Sequence, residues 1–190
     1  YNVRVSRSDA AEGPFTDYFG KAEKDTTNNF PILTAPYRFE NHPGWAGTAH
    51  CGVFTGGQGN YFMAHQGRLS PQNQLMVLHV RQLFFTPDGW PVVSPERYAG
   101  TPPREFTEAN LVGEWEIIRV QEPKYERQLE AGQILWGEGE LKDGEWNLST
   151  RVNLAKNGTC AGEMTDDEWK NVQMNGNWSC LLYTSPSPGD

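Results

Sequence analysis

The sequence predicts an all-β protein, and three observations support that prediction. Aromatic residues make up 12% of the 190 residues and include seven tryptophans. The 20 glycines and 13 prolines supply many turns, a combination that favours short strands and tight connections over long helices. Stretches of alternating apolar and polar residues are separated by turn dipeptides such as Asp88-Gly89 and Asn157-Gly158, which is the pattern of antiparallel hairpins.

The first half of the chain is predicted to be a β-meander. Its strands are predicted at residues 3–6, 50–54, 60–65, 75–85 and 90–93. Glycine-rich residues between the second and third of these strands close one hairpin, and an Asp-Gly dipeptide closes the last. The last strand contains a proline, which cannot donate a ladder hydrogen bond. We therefore expect that strand to lie at a sheet edge or to begin at the proline.

Residues 94–106 are predicted to be a linker, because three prolines and a glycine there break regular structure. The linker divides the chain into a first domain at 1–101 and a second at 102–179. Residues 180–190 resemble the translation of a sequencing-library adaptor, and we interpret them as a non-native tail. The alternative is a genuine Pro/Ser-rich tail.

The second domain is predicted to be a small antiparallel barrel or sandwich that is cut short. A helical turn capped by Thr107 opens it. Strands and turns then follow at 111–120, 134–141, 145–154, 151–155 and 159–164, with a helical turn at 166–170 and a further strand beginning at 176. Two turn dipeptides, Asp143-Gly144 and Asn157-Gly158, organise these hairpins.

Composition excludes two classes of partner. The formal charge of −8 and the pI near 5.0 argue against nucleic acid, because phosphate binding depends on clustered Lys and Arg. No apolar run approaches the roughly 20 residues of a membrane helix, so no membrane span is expected. The three cysteines are too few and too scattered to predict a disulfide framework or a zinc site.

Among the four histidines, His50 has the most suggestive surroundings, because small residues on both sides let backbone pack closely around its ring. A lone histidine at a strand start is nevertheless more often a structural, hydrogen-bonded residue than a metal or substrate ligand, and the same holds for His65. His42 lies in a Pro/Gly loop and His79 lies within a strand. Solvation and packing respectively account for these two, and we assign neither a role.

The residues taken alone predict no catalytic group. Most of the 24 carboxylates lie in turns or acidic runs typical of a solvated surface. None forms an evident pair of the kind that glycoside hydrolysis requires. Nucleophile-elbow, zinc-protease and phosphate-loop motifs are absent from the sequence. The tryptophans could stack on sugar rings, but in small β domains tryptophan more often fills the core.

A resemblance to a known family extends this interpretation. Residues 78–99, with the Asp88-Gly-Trp-Pro-Val-Val93 segment, look like the closing part of the propeller in endo-1,5-α-L-arabinanases of glycoside hydrolase family 43. Residues 1–8 and 61–68 resemble other parts of the same propeller. Residues 106–179 are similar to the β-barrel domain that follows the propeller in larger members, although their motifs are looser.

The resemblance implies a partial five-bladed β-propeller, made of the end of blade four and blade five, followed by a small antiparallel β-barrel. Family members hydrolyse arabinan by inversion with three acidic residues in earlier blades, so no catalytic residue is assigned in this chain. His50 matches a histidine that approaches an axial calcium ion. Residues His65, Gln66 and Arg68 are expected to line or support the substrate groove. Cys51 departs from the family pattern and leaves the geometry around the ion open.

Two functions are therefore expected. The first is a fragment of an arabinan hydrolase that acts on plant cell-wall arabinan or arabino-oligosaccharide, is secreted or periplasmic, and uses calcium. This chain alone would be inactive, because the catalytic acids would lie upstream. The alternative is a non-catalytic carbohydrate-binding β module. A fifth blade without its neighbours is also expected to expose both faces of its sheet.

Overall fold

The computed structural model describes residues 2–25, 30–70, 75–101, 107–121, 147–166 and 170–179. Within these ranges, strands dominate and the all-β prediction is confirmed. The strands are β1 (Val3–Arg4), β2 (Ile32–Thr34), β3 (Tyr37–Arg38), β4 (Trp45–Thr55), β5 (Tyr61–Leu69), β6 (Val77–Phe85), β7 (Pro91–Val93), β8 (Gly113–Ile117), β9 (Asn147–Leu148), β10 (Thr150–Leu154), β11 (Thr159–Thr165) and β12 (Asn171–Asn177). One short α-helix, α1 (Glu108–Leu111), and two 3₁₀ turns, Glu23–Asp25 and Gly57–Gly59, complete the described elements.

The described strands form three sheets. β1 and β2 pair with each other, six strands follow the order β7-β6-β5-β4-β3-β9, and four follow the order β12-β11-β10-β8. The run from β4 to β7 pairs each strand with the next in antiparallel fashion, which confirms the predicted meander. The number of propeller blades stays a prediction.

The start of β4 differs from the sequence prediction, and the reason is a distorted backbone. β4 begins at Trp45, well before the predicted start at His50, and its pairing with β5 shifts register twice between Ala46 and Gly52. Such bulges interrupt the alternation of buried and exposed residues. The pattern of period two, on which the prediction rested, is therefore visible only beyond them.

The edge position predicted for the Pro91 strand is confirmed, since β7 ends the six-stranded sheet. Beyond it the predicted linker does not leave the sheet at once. The Ser94 N–H donates to the Gln82 carbonyl (2.9 Å), and the Tyr98 N–H donates to the Val80 carbonyl (2.7 Å). Residues 94–98 therefore continue along β6, because β7 is too short to satisfy the backbone groups of that strand.

In the second half, the helical turn capped by Thr107 is confirmed, with a reciprocal capping box between Thr107 and Asn110. The hairpin at Asn157-Gly158 is also confirmed, and Gly158 has the positive φ of 81° that the turn requires. The prediction that a strand begins at residue 176 is wrong. The strand there, β12, begins at Asn171 and ends at Asn177. Predictions at 134–141, 143–144, the start of 145–154, 167–169 and 180–190 lie outside the described residues.

The six-stranded sheet, called the blade-like sheet below, is covered mainly on one face. β1 and β2 contact β4 and β7, and on the covered face Met63 and Leu83 are buried. On the opposite face Leu78 is 70% exposed, and Phe84 is exposed as well. The expectation of two exposed faces is therefore wrong for the covered side, because the short N-terminal sheet shields it from water.

The two predicted domains share a sheet. β9, from the second half, pairs in parallel with β3 through Tyr37 and Arg38. This parallel pairing was not predicted, since two-residue strands carry no periodic signal. It closes the free edge of β3 and continues the first half's sheet into the second. None of the described helices has the length and apolar character needed to cross a membrane.

Candidate functional site

The most distorted backbone in β4 surrounds the predicted metal residue. Gly47 and His50 have φ values of 58° and 61°, and they fall in the two register shifts of the β4–β5 pairing. A left-handed histidine is uncommon and costs conformational energy, which proteins tend to concentrate at functional sites. The bulge exposes the His50 ring instead of burying it in the sheet.

His50 lies beside two of the three predicted groove residues. His50, His65 and Gln66 line one open depression of about 430 Å³, together with Met76 and Leu78. Arg68 is not in this lining. It lies further along β5 opposite Ala46, where its side chain passes close to Gly47.

His65 is positioned to support the depression and not to bind a ligand. Its side chain is 2% exposed. The Arg81 Nε–H donates to its Nε2 (2.8 Å), and its Nδ1 lies 2.7 Å from the Gln66 carbonyl oxygen. Because Nε2 accepts, Nδ1 carries the proton and donates to that carbonyl. Both ring nitrogens are therefore occupied, and the network holds Gln66 in place.

His79, to which the sequence assigned only packing, lies at the centre of this network. The residue is fully buried, and the Trp45 ring meets it edge-on with centroids 4.3 Å apart. Its Nε2 has no hydrogen-bond partner within the described ranges. That atom faces Gly67, where an added Cβ would come within 2.6 Å. Gly67 is thus required by close approach of the ring.

Arg81 joins these histidines to the rest of the fold. The guanidinium group is 2% exposed. Besides His65, its donors reach the Tyr37 hydroxyl (2.6 Å), the Ser94 carbonyl (3.2 Å) and the Pro95 carbonyl. Sequence reasoning missed this residue. The available signal was the alternation of His79 and Arg81 on β6, with His65 directly opposite His79 on β5.

The burial of two neighbouring imidazoles predicts acid sensitivity. Burial, together with the charges of Arg81, His65 and Arg97, lowers the pKa of His79 to about 3. Burial also lowers the pKa of His65, with Arg81 adding to the effect and the bond to the Gln66 carbonyl opposing it. Both histidines are therefore neutral in the folded protein at pH values where they are protonated in the unfolded chain.

The contribution of the two neutral histidines to the free energy of unfolding is expected to be complete above the unfolded pKa of about 6.5. It should decrease as the pH falls towards about 3. His79 alone would lower the free energy of unfolding by about 2 kcal/mol between pH 6.5 and 5. Urea unfolding at a series of pH values measures this. The variant His79→Leu should show a shallower dependence, and an unchanged slope would contradict the assignment.

The described residues do not by themselves make a calcium site. Within the described ranges, no group of three His, Cys, Asp or Glu side chains is arranged to hold a metal. Calcium prefers six to eight oxygen ligands, and His50 offers a ring nitrogen. An ion beside His50 would require oxygen ligands from water or from other protein segments.

Asp17 is a buried carboxylate of the described part, 2% exposed, but its role is structural. Its Oδ1 accepts from the backbone N–H groups of Phe19 (2.9 Å) and Lys21 (2.8 Å), and Oδ2 accepts from that of Phe30 (3.4 Å). This carboxylate caps a loop.

Comparisons with known proteins find relatives for both halves. Residues 95–184 match the GH43_C family, a C-terminal lipocalin-like domain. The extracellular endo-α-(1→5)-L-arabinanase 2 of Bacillus subtilis is 24% identical over 193 residues, covering 92% of this chain. The corresponding Thermotoga petrophila arabinanase is 28% identical over 133 residues, covering 62% of the chain.

Solved structures share the fold. The endo-1,5-α-L-arabinanase of Thermotoga petrophila superimposes with a TM-score of 0.66 at 20% identity and covers 93% of this chain. The family-43 YxiA protein of Bacillus licheniformis gives a TM-score of 0.66 at 22% identity over 86% of the chain. The chain spans 37% and 28% of the two curated relatives, and 42% and 37% of these two solved chains.

Proposed function

We propose that the chain is part of an enzyme that hydrolyses α-1,5-linked arabinan, and the match of residues 95–184 to the GH43_C family of C-terminal lipocalin-like domains supports this proposal. The observation that carries the proposal is the match to an arabinanase along 92% of the chain. A match of that length includes both the blade-like sheet and the four-stranded sheet of the second half. The substrate is arabinan or an arabino-oligosaccharide of the plant cell wall.

In this proposal the chain contributes structure and one wall of the groove, and not the reacting acids. The one deeply buried carboxylate in the described part, Asp17, caps a loop, and the sequence offered no acidic pair. The catalytic carboxylates would belong to preceding blades of a longer protein. The 190-residue chain alone would then be inactive.

His50 is the residue of this chain that we place at the groove. Its left-handed backbone and exposed ring at the edge of the depression support that role. The His50 imidazole would be available to hydrogen-bond a water held by a calcium ion, the cofactor that the family resemblance implies. Gln66 lines the same depression, and His65 holds the Gln66 backbone in position. The extracellular names of the relatives support export from the cell.

The hydrolase proposal is tested on the longer protein encoded by the extended reading frame. We expect it to release reducing ends from linear 1,5-arabinan, and we expect the 190-residue chain to release none. In the longer protein, His50→Asn should lower the rate by about tenfold or more, the scale of losing a group that orients a metal or its ligands. Asparagine tolerates the left-handed conformation, so the variant removes the imidazole without new backbone strain.

Cys51→Ser is the matched control, because Cys51 is the exposed neighbour of His50 on the same bulge, and its activity should be unchanged. Failure of the longer protein to cleave arabinan would refute the hydrolase assignment. Hydrolysis by the short chain, dependent on its own carboxylates, would refute the proposed location of the acids.

A further inference from the structure

A second recessed surface lies where the two halves of the chain meet. It shares no lining residue with the depression at His50. Two adjoining recesses, of about 650 and 510 Å³, fall within the size of roughly 300–1,000 Å³ that small-molecule sites have. They share three residues, Phe39, Glu40 and Arg151. We call this combined surface the junction groove.

The shared residues are held by contacts between the halves. The Arg151 Nε–H donates to Glu40 Oε2 (2.8 Å), and a second guanidinium N–H reaches the same oxygen. The Glu40 N–H donates to Glu116 Oε2 (2.7 Å) and to the Ser149 hydroxyl (3.1 Å). Polar groups from the loop after β3 and from β8 and β10 are thus fixed relative to one another.

The fixed groups remain accessible to a ligand. The side chains of Arg151 and Glu40 are 64% and 45% exposed, and Glu114 lies 4.0 Å from the other side of the guanidinium group. Hydrogen bonds from Ser149 and from the Glu40 backbone, with the nearby Arg151 charge, lower the pKa of Glu116 and keep it ionised. The groove therefore presents carboxylate acceptors and guanidinium donors with unused hydrogen-bonding capacity.

Phe39 supplies the apolar element of the groove. Its ring is half-buried and lines both recesses, and Tyr37 packs edge-on against it with centroids 5.7 Å apart. A sugar combines an apolar ring face with hydroxyl groups around its rim. An aromatic surface flanked by planar charged groups suits such a ligand, because the ring face packs on Phe39 while neighbouring hydroxyls bond to carboxylate and guanidinium together.

The charge of the groove selects among polysaccharides. Carboxylates from Glu40, Glu96, Glu114, Glu116 and Glu163 outnumber the guanidinium groups of Arg38 and Arg151 along its walls. A negatively charged polymer would be repelled by this surface, whereas a neutral one would not. The ligand class that fits is a neutral polysaccharide.

We propose that the junction groove is a second, non-catalytic carbohydrate-binding site that holds a neutral arabinan chain against Phe39, Glu40 and Arg151. The identity of the sugar rests on the proposed function, whereas the site itself rests on the groove. Such a site would hold the polymer near the enzyme while a separate part of it is cleaved, and it would raise the local substrate concentration.

The test uses the 190-residue chain and linear 1,5-arabinan in affinity gel electrophoresis, with arabinopentaose titrations for dissociation constants. We expect arabinan to retard the chain and polygalacturonate to leave its mobility unchanged. Arg151→Met and Phe39→Leu should each weaken binding by about tenfold, the scale of one lost charge-assisted or aromatic contact. Circular dichroism of each variant checks that the sheets are retained.

Lys156→Met and Phe19→Leu are matched controls, because both residues are exposed and lie outside the groove. Their dissociation constants should stay within about twofold of the parent chain, well under the tenfold step of 1.4 kcal/mol. Absence of any retardation, or equal binding by the groove variants and controls, would overturn the site. Sensitivity to His50→Asn alone would also overturn it, because binding would then occur at the other depression. None of these outcomes bears on hydrolysis by the longer protein, which is measured separately.

Discussion

Replacing Asn147 by alanine is expected to destabilise the fold by about 3 kcal/mol or more and to loosen the contact between its halves. The side chain is 2% exposed. Its Nδ2 donates to the Pro36 carbonyl (2.9 Å) and the Gln121 carbonyl (3.2 Å), and its Oδ1 accepts from the Gln121 N–H (2.8 Å). Alanine would remove the side-chain partners of the Gln121 N–H and carbonyl, each at a cost of about 1–3 kcal/mol, while the Pro36 carbonyl would keep the backbone N–H of residue 147 as its donor.

Urea unfolding followed by tryptophan fluorescence measures the effect. Asn147→Asp should be comparably harmful, because a carboxylate keeps the acceptor but faces two carbonyl oxygens that it cannot donate to. Asn153→Ala is the matched control, since Asn153 is exposed on β10, and it should change stability by less than about 0.5 kcal/mol. A loss below about 1 kcal/mol for Asn147→Ala would mean that the β3–β9 pairing does not depend on this side chain.

Arg81→Met is expected to lower stability by about 3–5 kcal/mol, the cost of breaking a buried charged network by removing one member. Methionine fills similar volume but removes the guanidinium hydrogen bonds to His65 Nε2, the Tyr37 hydroxyl and the Pro95 carbonyl. Arg81→Lys should recover only part of the loss, since an ammonium group cannot reproduce the planar set of bonds.

A second readout separates this network from general packing. Because His65 would lose its donor at Nε2, its proton position would no longer be fixed, and the imidazole resonances of His65 in NMR spectra should shift or broaden. Gln82→Met is the control, because Gln82 is the next residue on β6 and faces the opposite side of the sheet. Normal stability and unchanged histidine resonances in Arg81→Met would refute the assigned role.

The candidate site was partly predictable. His50 and Gln66 were named from the sequence and lie together in one depression, because both belong to adjacent strands of a hairpin whose turn signal was strong. Arg81 was missed because a charged residue within a strand is expected to face solvent, and the packing expected for His79 did not include its place beside Arg81. Here they face the covered side of the sheet, where Tyr37 and the backbone after β7 satisfy the guanidinium group.

Local chemistry in the sequence determined the all-β class, the meander from β4 to β7, the turn at Asn157-Gly158 and the helical turn capped by Thr107. These features depend on residues a few positions apart, so alternation and turn preferences suffice to predict them. Only the tertiary structure decided the left-handed His50, the Arg81 network and the joining of the two halves through Asn147. The partners of Arg81 lie up to 44 residues away and those of Asn147 up to 111. Such contacts form only when the sheets pack, and no pattern within one strand encodes them.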